Sequence, residues 1–314
     1  MDVVKMSNVK DKTVFIVGGS TGLGKEIAKE LASQGAHITI FGRNQKRLDE
    51  ATIEIDTAKQ SENQVITAVS ADMSDATTVR AVFASQPRLP DILICNAGGT
   101  STELGFLIDL EPDVFERCMK NNYYTSLYPA RAVLKAWVED DRDSKALAKP
   151  KERKIVFVNS TASLCPAPGY LAYNATKSAQ RALAETLRLE ATRYNNPKST
   201  YKVQCVFAHN FISDTFLIEQ QNKPSLTKRL ENTEGDLKML EKKFPYAEKI
   251  APEIVDAVAK GDYAVLDGRF ESQIVWGVGM GGSPKRCWGV WDVLLALLAM
   301  FAWPFERRRW GFEK

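Results

Sequence analysis

A tyrosine and a lysine four residues apart form the pair in this sequence best suited to acid–base chemistry. Tyr173 and Lys177 lie in the run Tyr-Asn-Ala-Thr-Lys, which opens the helical pattern SAQRALAETLRLEATR. Side chains at this spacing share one face of a helix. A phenol has an unperturbed pKa of about 10, and a neighbouring ammonium stabilises its phenolate form. The spacing therefore predicts a proton-transfer pair.

A serine upstream is placed to join this pair. Ser160 ends the apolar run KIVFVNS, thirteen residues before Tyr173. The loop between them contains Pro166, Pro168 and Gly169, which are residue types that favour turns. We therefore expect the loop to return Ser160 to the tyrosine.

The elements that must position these side chains follow from an alternation of short apolar runs with longer helical patterns. Such runs indicate strands covered by helices on both faces. The expected fold is α/β, with one Rossmann-type, doubly wound, seven-stranded parallel sheet. The seven runs are TVFIV (13–17), HITIF (37–41), VITAV (65–69), ILIC (92–95), KIVFV (154–158), VQCVF (203–207) and YAVL (263–266).

The segment GGSTGLG, residues 18–24, follows the first run and predicts a dinucleotide site. Gly18 permits a tight turn, Gly22 lets the backbone approach a pyrophosphate, and Gly24 lets a helix pack closely on the strand. The helix N-terminus attracts the anion. We expect Ser20 and Thr21 to line the same site.

The glycine turn leaves a second enzyme class open. Gly18-x-Ser20-x-Gly22 also fits the nucleophile turn of serine hydrolases, with His209 as the candidate base. Against this interpretation, the hydrolase turn follows several strands, whereas here it follows the first. A non-catalytic NADPH-binding scaffold is a further alternative.

The end of the second run indicates which cofactor is bound. Gly42 stands where folds selective for NAD usually carry an acidic residue. Arg43 follows it and Arg47 comes one helical turn later, so the site offers positive charge to the 2′-phosphate of NADPH. Asp72, after the third run, is placed either to bind adenine or to cap a helix.

Taken together, these motifs resemble the short-chain dehydrogenase/reductase family over roughly residues 10–267. Besides the glycine turn, the resemblance rests on Asn96 in the run Asn-Ala-Gly, Asn122, Ser160, Tyr173 and Lys177. It implies that Tyr173 donates a proton to a ketone oxygen that Ser160 orients. It further implies that Lys177 holds the nicotinamide ribose, that Asn122 supports a water relay and that Asn96 lies at the cofactor.

Two positions depart from the family pattern. Val17 replaces the threonine usual before the glycines, and His209-Asn210 replaces the Pro-Gly usual after the sixth strand. The second change leaves open how the edge of the nicotinamide is held.

Composition limits the other functions. The net charge is +3, from 42 basic and 39 acidic residues, so we expect no nucleic-acid partner. Five scattered cysteines suit a reducing compartment, and no His/Cys pair has zinc-ligand spacing, so no metal is expected. The N-terminal residues resemble neither a signal peptide nor an anchor. The polar interval 139–154 is interpreted as a solvated surface loop.

The chain divides in the sequence into a catalytic domain, 1–270, and a hydrophobic C-terminal segment, 271–314. Within the first, 211–250 is a candidate substrate lid, followed by a helix near Pro252. Residues 293–303 are apolar on every helical face and are flanked by tryptophans, which favours membrane association. The stretch is short for a full span, so a core or dimer-interface helix remains an alternative, and homo-oligomerisation is left open.

Within the family, the motifs and the hydrophobic tail most resemble fungal members that reduce long-chain sphingoid ketones. The resemblance implies conversion of 3-ketodihydrosphingosine to dihydrosphingosine at the cytosolic face of the endoplasmic reticulum membrane. Another lipid ketone, such as a 3-ketoacyl thioester or a steroid, is the alternative. The basic cluster 307–309 favours a cytosolic C-terminus, which requires a hairpin or an interfacial helix, with 274–282 as the second apolar segment.

Overall fold

A seven-stranded parallel sheet forms the centre of the protein in the computed structural model, which describes residues 9–143, 150–267 and 269–277 with the single positions 294, 297 and 301. The expected doubly wound α/β fold is confirmed. The strands are β1 (Thr13–Val17), β2 (His37–Gly42), β3 (Ile66–Ser70), β4 (Ile92–Cys95), β5 (Lys151–Ser160), β6 (Ser199–Ala208) and β7 (Ala264–Leu266). Their order is β3-β2-β1-β4-β5-β6-β7, so the direction of winding reverses between β1 and β4.

Helices cover both faces of the sheet. Side chains alternate between the faces along a strand, so Val14 and Ile16 pack in one core cluster while Phe15 and Val17 pack in the other. In the described residues the α-helices are α1 (Gly22–Ser33), α2 (Gln45–Thr57), α3 (Ala76–Ala84), α4 (Pro112–Met119), α5 (Thr125–Asp143), α6 (Leu171–Ala191), α7 (Asp214–Asn222), α8 (Ser225–Leu230), α9 (Leu237–Glu241), α10 (Ala247–Lys260) and α11 (Phe270–Gly277). The first cluster takes residues from α1, α2 and α10, and the second from α3, α5 and α6.

The carboxyl ends of the strands bring the sequence motifs to one edge of the sheet. The glycine turn follows β1, Asn96 follows β4, Ser160 ends β5 and His209 follows β6. In open parallel sheets this edge, at the reversal of winding, forms the ligand crevice. The fold therefore positions the glycine turn and the tyrosine–lysine pair around a single crevice.

The interval 139–154, expected to be a solvated loop, is described only at its two ends, because 144–149 lie outside the described residues. Its first residues end α5 and its last residues begin β5. Asp141, which is 6% exposed, accepts hydrogen bonds from Arg153 at 3.3 Å and Ser199 at 2.8 Å, and a further bond from Tyr201. Asp141 and Arg153 are buried because they pair with each other, and 151–153 extend the ladder of β5 and β6 beyond the apolar runs. The described ends of the interval therefore differ from the solvated loop that was expected.

The C-terminal part of the described chain packs on the domain. α10 begins at Ala247, ahead of Pro252, because Ile250 and Ala251 belong to the core cluster that α1 also contributes to. In α11, Trp276 contacts Phe207 of β6 at 5.0 Å between ring centres. The described part of the expected second apolar segment, 274–277, thus belongs to a helix against the core.

The remainder of the hydrophobic tail lies outside the described residues, apart from the exposed positions Leu294, Leu297 and Phe301. Over the part of the chain that is described, no helix combines the length and the apolar character required to traverse a bilayer. The division at residue 270 and the membrane role of 271–314 stay predictions.

Candidate active site

A cavity of about 790 Å³ opens at the carboxyl edge of the sheet. It brings together most of the residues that the sequence singled out. Those lining it are Gly18, Ser20, Thr21, Gly22, Arg43, Asp72, Asn96, Ser160, Tyr173 and Lys177. Gly24, Arg47 and Asn122 are not part of the lining and lie behind or beside it.

Helix α6 carries the tyrosine–lysine pair. The Lys177 ammonium lies 5.8 Å from the centre of the Tyr173 ring. It donates hydrogen bonds to the carbonyl of Val158 at 2.9 Å and to Oε1 of Gln180 at 3.3 Å, which fix its position beneath the cavity. Burial lowers the pKa of Lys177 to about 8, although it remains a donor to both partners.

Tyr173 is held in its protonated form. Burial raises the pKa of its phenol, the negative charge of Glu219 adds to the increase, and a hydrogen bond with Ser160 opposes it. Ser160 is held in turn through its own Oγ, which accepts from Ala162 N at 3.2 Å. A phenol that keeps its proton is suited to donate it to a developing alkoxide.

Asn122 lies in a π-helical turn, Lys120–Tyr124, that joins α4 to α5. Its buried side chain accepts from Gly99 N at 2.7 Å and donates to Gly99 O at 3.1 Å and to Cys118 O at 3.0 Å. It therefore ties the loop after β4 to the helix beneath the cavity. The contribution of Asn122 to a water relay stays a prediction.

The glycine turn has the shape that a dinucleotide requires. Gly18 has φ +79°, and a Cβ there would lie 2.6 Å from Cα of Ala97. A Cβ on Gly24 would lie 2.1 Å from the Gly18 carbonyl, which shows how closely α1 approaches the turn. Thr21, the N-cap of α1, makes no side-chain capping bond, so the helix N-terminus presents free N–H groups to an anion. These residues fit a pyrophosphate.

The region beside the end of β2 carries positive charge. Arg43 is exposed and its guanidinium donates to Asn121 Oδ1 at 3.2 Å at the cavity wall. Arg47 is exposed on α2, away from the lining. Burial acts to raise the pKa of Asp72, but hydrogen bonds from Ser74 and the charge of Arg43 hold it below its ordinary value. Asp72 caps no helix, since Asp75 is the N-cap of α3.

The His209-Asn210 pair, which replaces the expected Pro-Gly, is fixed by the segment after β7. His209 N donates to Asp267 at 2.8 Å, and Arg269 donates to the Asn210 carbonyl at 3.0 Å. Ser272 Oγ donates to Asp267 at 2.6 Å. The turn is thus held by side-chain contacts from Asp267 and Arg269, between β7 and α11, instead of by a proline ring.

The candidate lid, 211–250, forms α7, α8, α9 and the start of α10, and it contributes residues to the cavity wall. Sequence reasoning missed a buried charged group in it. Lys223 contacts both Glu219 and Glu231, and the hydroxyl of Tyr170 donates to the same two carboxylates. The four-residue spacing of Glu219 and Lys223 at the end of α7 indicates an ion pair in the sequence. Glu231 meets Lys223 only in the folded chain. Closure of this lid stays a prediction.

Comparison with known proteins identifies the class. Residues 12–214 match the short chain dehydrogenase family. The chain is 32% identical to a 3-ketodihydrosphingosine reductase of Neurospora crassa, with 98% of this chain and 84% of that protein covered. The chain belongs to the short-chain dehydrogenase/reductase family, and it is an oxidoreductase that uses a nicotinamide cofactor. This sets aside the serine-hydrolase and non-catalytic alternatives.

Other relatives carry the same name. A 3-ketodihydrosphingosine reductase of Bos taurus is 35% identical, with 80% of this chain and 69% of that protein covered. The PIGF/3-ketodihydrosphingosine reductase fusion protein of Schizosaccharomyces pombe is 31% identical over 95% of this chain, which spans 56% of its length.

Solved structures share the fold. A short-chain dehydrogenase/reductase from Burkholderia phymatum in complex with NAD has a TM-score of 0.69 at 18% identity, with 87% of this chain and 93% of that chain covered. A short-chain dehydrogenase from Sphingobium yanoikuyae in complex with NADPH has a TM-score of 0.65 at 19% identity, with 85% and 92% covered.

Proposed function

We propose that this protein reduces 3-ketodihydrosphingosine to dihydrosphingosine with NADPH, as a step of sphingolipid synthesis. One observation carries the proposal: Tyr173, Ser160 and Lys177 meet in a cavity of about 790 Å³ in a chain whose fungal and animal relatives are named for this reaction. The alternative, reduction of another lipid ketone, requires the same constellation.

Each residue of the site has a separate role in the proposed reduction. The bound cofactor supplies hydride to the carbonyl carbon. The Tyr173 hydroxyl donates its proton to the carbonyl oxygen, and Ser160 orients that oxygen by a hydrogen bond. Lys177, fixed by Val158 O and Gln180, stabilises the phenolate that remains. The α1 N-terminus and the glycine turn hold the pyrophosphate.

Selectivity for NADPH is assigned to Arg43. Its exposed guanidinium stands directly after β2, next to Gly42, where a carboxylate would otherwise bind the ribose 2′-hydroxyl. A planar guanidinium suits a phosphate because it donates two parallel hydrogen bonds. Arg47 is a second candidate from one helical turn further on.

We propose the cytosolic face of the endoplasmic reticulum membrane as the location, with the C-terminal segment as the attachment. A long alkyl chain gains about 0.8 kcal/mol per buried methylene, so the substrate concentrates in the bilayer. An epitope placed after Lys314 should be digested by protease in intact microsomes. Its protection would place the C-terminus in the lumen.

The identity of the substrate is tested with purified protein, NADPH and three lipid ketones. These are 3-ketodihydrosphingosine, a 3-ketoacyl thioester of the same chain length and a steroid ketone. We expect dihydrosphingosine as the main product, detected by mass spectrometry. Turnover of a thioester or steroid without turnover of the sphingoid ketone would establish the alternative.

A further inference from the structure

A buried charged cluster lies in the wall of the cavity beside the tyrosine that donates the proton. Lys223, whose side chain is fully buried, contacts Oε1 of Glu219 at 2.8 Å and Oε2 of Glu231 at 2.7 Å. The Tyr170 hydroxyl donates to the same oxygens, to Glu231 at 3.0 Å and also to Glu219. The two carboxylates thus share one ammonium and one phenol.

The charges of this cluster do not cancel. Two carboxylates oppose a single lysine, which leaves one net negative charge when both are ionised. In the part of the chain that the structure describes, the contacts of Glu219 go to Oε1 and those of Glu231 go to Oε2. Each carboxylate therefore keeps a second oxygen as an acceptor. Glu219 and Glu231 both line the cavity, and their side chains are only 13% and 19% exposed.

The cluster is one aromatic ring away from the reaction centre. The rings of Tyr170 and Tyr173 lie 6.0 Å apart, centre to centre. The negative charge of Glu219 reaches Tyr173, where it contributes to raising the pKa of the phenol. Burial likewise raises the pKa of Glu219 itself, against the opposing effect of Lys223. A cation bound at this cluster would relieve both effects.

Two further polar groups of the cavity lining also lack partners. Asn174 Oδ1 and Thr100 Oγ1 are buried, and neither has a hydrogen-bond partner among the described residues. Both residues line the same cavity as the cluster. A purely hydrocarbon ligand would leave such groups unsatisfied, at a cost in free energy. The lining therefore favours a ligand that carries polar groups over a purely hydrocarbon one.

We propose that Glu219 and Glu231 bind a protonated amine on the carbon next to the ketone of the substrate. The inference rests on the proposed function, because a sphingoid ketone carries an amine at that position. The α-amino group of a peptide, which is likewise bonded to the carbon next to a carbonyl, has a pKa of about 7.7–8.0, and such an amine is largely protonated at neutral pH. When the ketone oxygen lies at Tyr173, the amine on the neighbouring carbon lies within a few ångströms of that oxygen, in the cavity that Glu219 and Glu231 also line.

This arrangement gives the substrate amine a chemical effect as well as a binding role. Its positive charge balances the net charge of the cluster and lowers the pKa of Tyr173 toward the value of a better proton donor. A ketone without the amine would leave Tyr173 beside an uncompensated carboxylate. The amine therefore favours the correct substrate in both binding and proton transfer.

The test compares two ketones in the same micelles: 3-ketodihydrosphingosine and its analogue of equal chain length without the amine. In the full-length protein, Glu219→Gln and Glu231→Gln should each lower kcat/KM for the amine-bearing ketone roughly 10- to 100-fold, the loss of a charged hydrogen bond. Activity on the analogue should not fall and should rise if it changes, because each substitution removes a negative charge that raises the pKa of Tyr173. Glu234→Gln, in the same segment but exposed, is the matched control. NADPH titration of each variant verifies folding.

The outcomes separate this inference from the proposed function. If the wild-type protein fails to reduce 3-ketodihydrosphingosine, the proposed function falls and this inference falls with it. If the wild-type protein reduces both ketones with equal kcat/KM, only the inference is wrong, and this measurement needs no variant. Equal losses of kcat/KM on both ketones in the two glutamine variants would show that the cluster has a structural role. That result would likewise overturn the inference.

Discussion

The Lys177 ammonium lies 5.8 Å from the centre of the Tyr173 ring, one helical turn away on α6. Hydrogen bonds to Val158 O and Gln180 hold it there, so the lysine does not depend on the tyrosine for its position. In the proposed mechanism, the phenol therefore loses its proton without disturbing the cation that stabilises the resulting phenolate. This division of roles leads to the first prediction.

Tyr173→Phe should abolish reduction while leaving NADPH binding nearly unchanged. The substitution removes the proton donor but keeps the ring, Lys177 and the glycine turn. General acid catalysis is commonly worth roughly 10² to 10⁴ in rate. Turnover is followed by NADPH absorbance and binding by fluorescence titration. Activity above about a tenth of wild type would remove Tyr173 from this role.

Arg43→Ala should weaken NADPH binding much more than NADH binding, because only NADPH presents a 2′-phosphate. Charge-assisted hydrogen bonds contribute about 1.5–3 kcal/mol, which corresponds to a loss of roughly 10- to 100-fold. Titration with both cofactors measures the ratio. The exposed neighbour Lys46→Ala is the control, and Arg47→Ala tests the second arginine. Equal losses for the two cofactors would contradict the assignment.

Lys177 should make the stability of the protein depend on pH above neutrality. Its pKa is about 8 when folded, against an ordinary value of 10.5, so the unfolded chain binds more protons between these values. The free energy of unfolding therefore rises with pH across this window. Relative to Lys177→Met, the wild type should gain about 3 kcal/mol from pH 8 to pH 10.5.

Urea denaturation of both proteins at several pH values measures this difference. The exposed Lys135→Met serves as the control and should track the wild type. Parallel profiles for wild type and Lys177→Met would show that the lysine keeps its ordinary pKa in the folded protein.

Removal of residues 278–314 should slow reduction of the long-chain ketone in vesicles more than reduction of a short, soluble analogue. Ending the chain after Gly277 keeps α11 and the contact of Trp276 with Phe207. This result is expected if the tail brings the enzyme to its lipid substrate and takes no part in the reaction itself. Rates on both substrates and NADPH affinity are measured, and equal slowing of both reactions would argue against delivery from the membrane.

Much of the fold was predictable because runs of apolar residues indicate buried strands. The runs at 13–17 and 92–95 match β1 and β4 residue for residue. The predicted run 154–158 is shorter than β5, Lys151–Ser160, because the polar residues at the start of β5 pair with β6 without being apolar. Arg153 is buried by contacts with Ser199 of the neighbouring strand and with residues of α5, and none of these residues is adjacent to it in sequence.

The same distinction applies to the site. The tyrosine and lysine were predictable because their spacing on one helix is local. Glu231 was not, because it meets Glu219 and Tyr170 only after α7 and α8 fold over the cavity. Nor did periodicity indicate the π-helical turn that contains Asn122, since an extra residue in a helix leaves the apolar pattern on either side intact.

Because of that π-helical turn, the number of residues between α4 and α5 determines how α5 is oriented against the rest of the fold. In an α-helix each residue advances the side chains by about 100°. Deleting a single residue from Lys120–Tyr124 would return the turn to regular α-helix and rotate α5 relative to α4. Ser126 would then leave Gln180, and Trp137 would leave the carbonyl of Pro90. Substitutions in this turn affect single contacts, whereas a one-residue deletion would misalign the whole helix with the sheet.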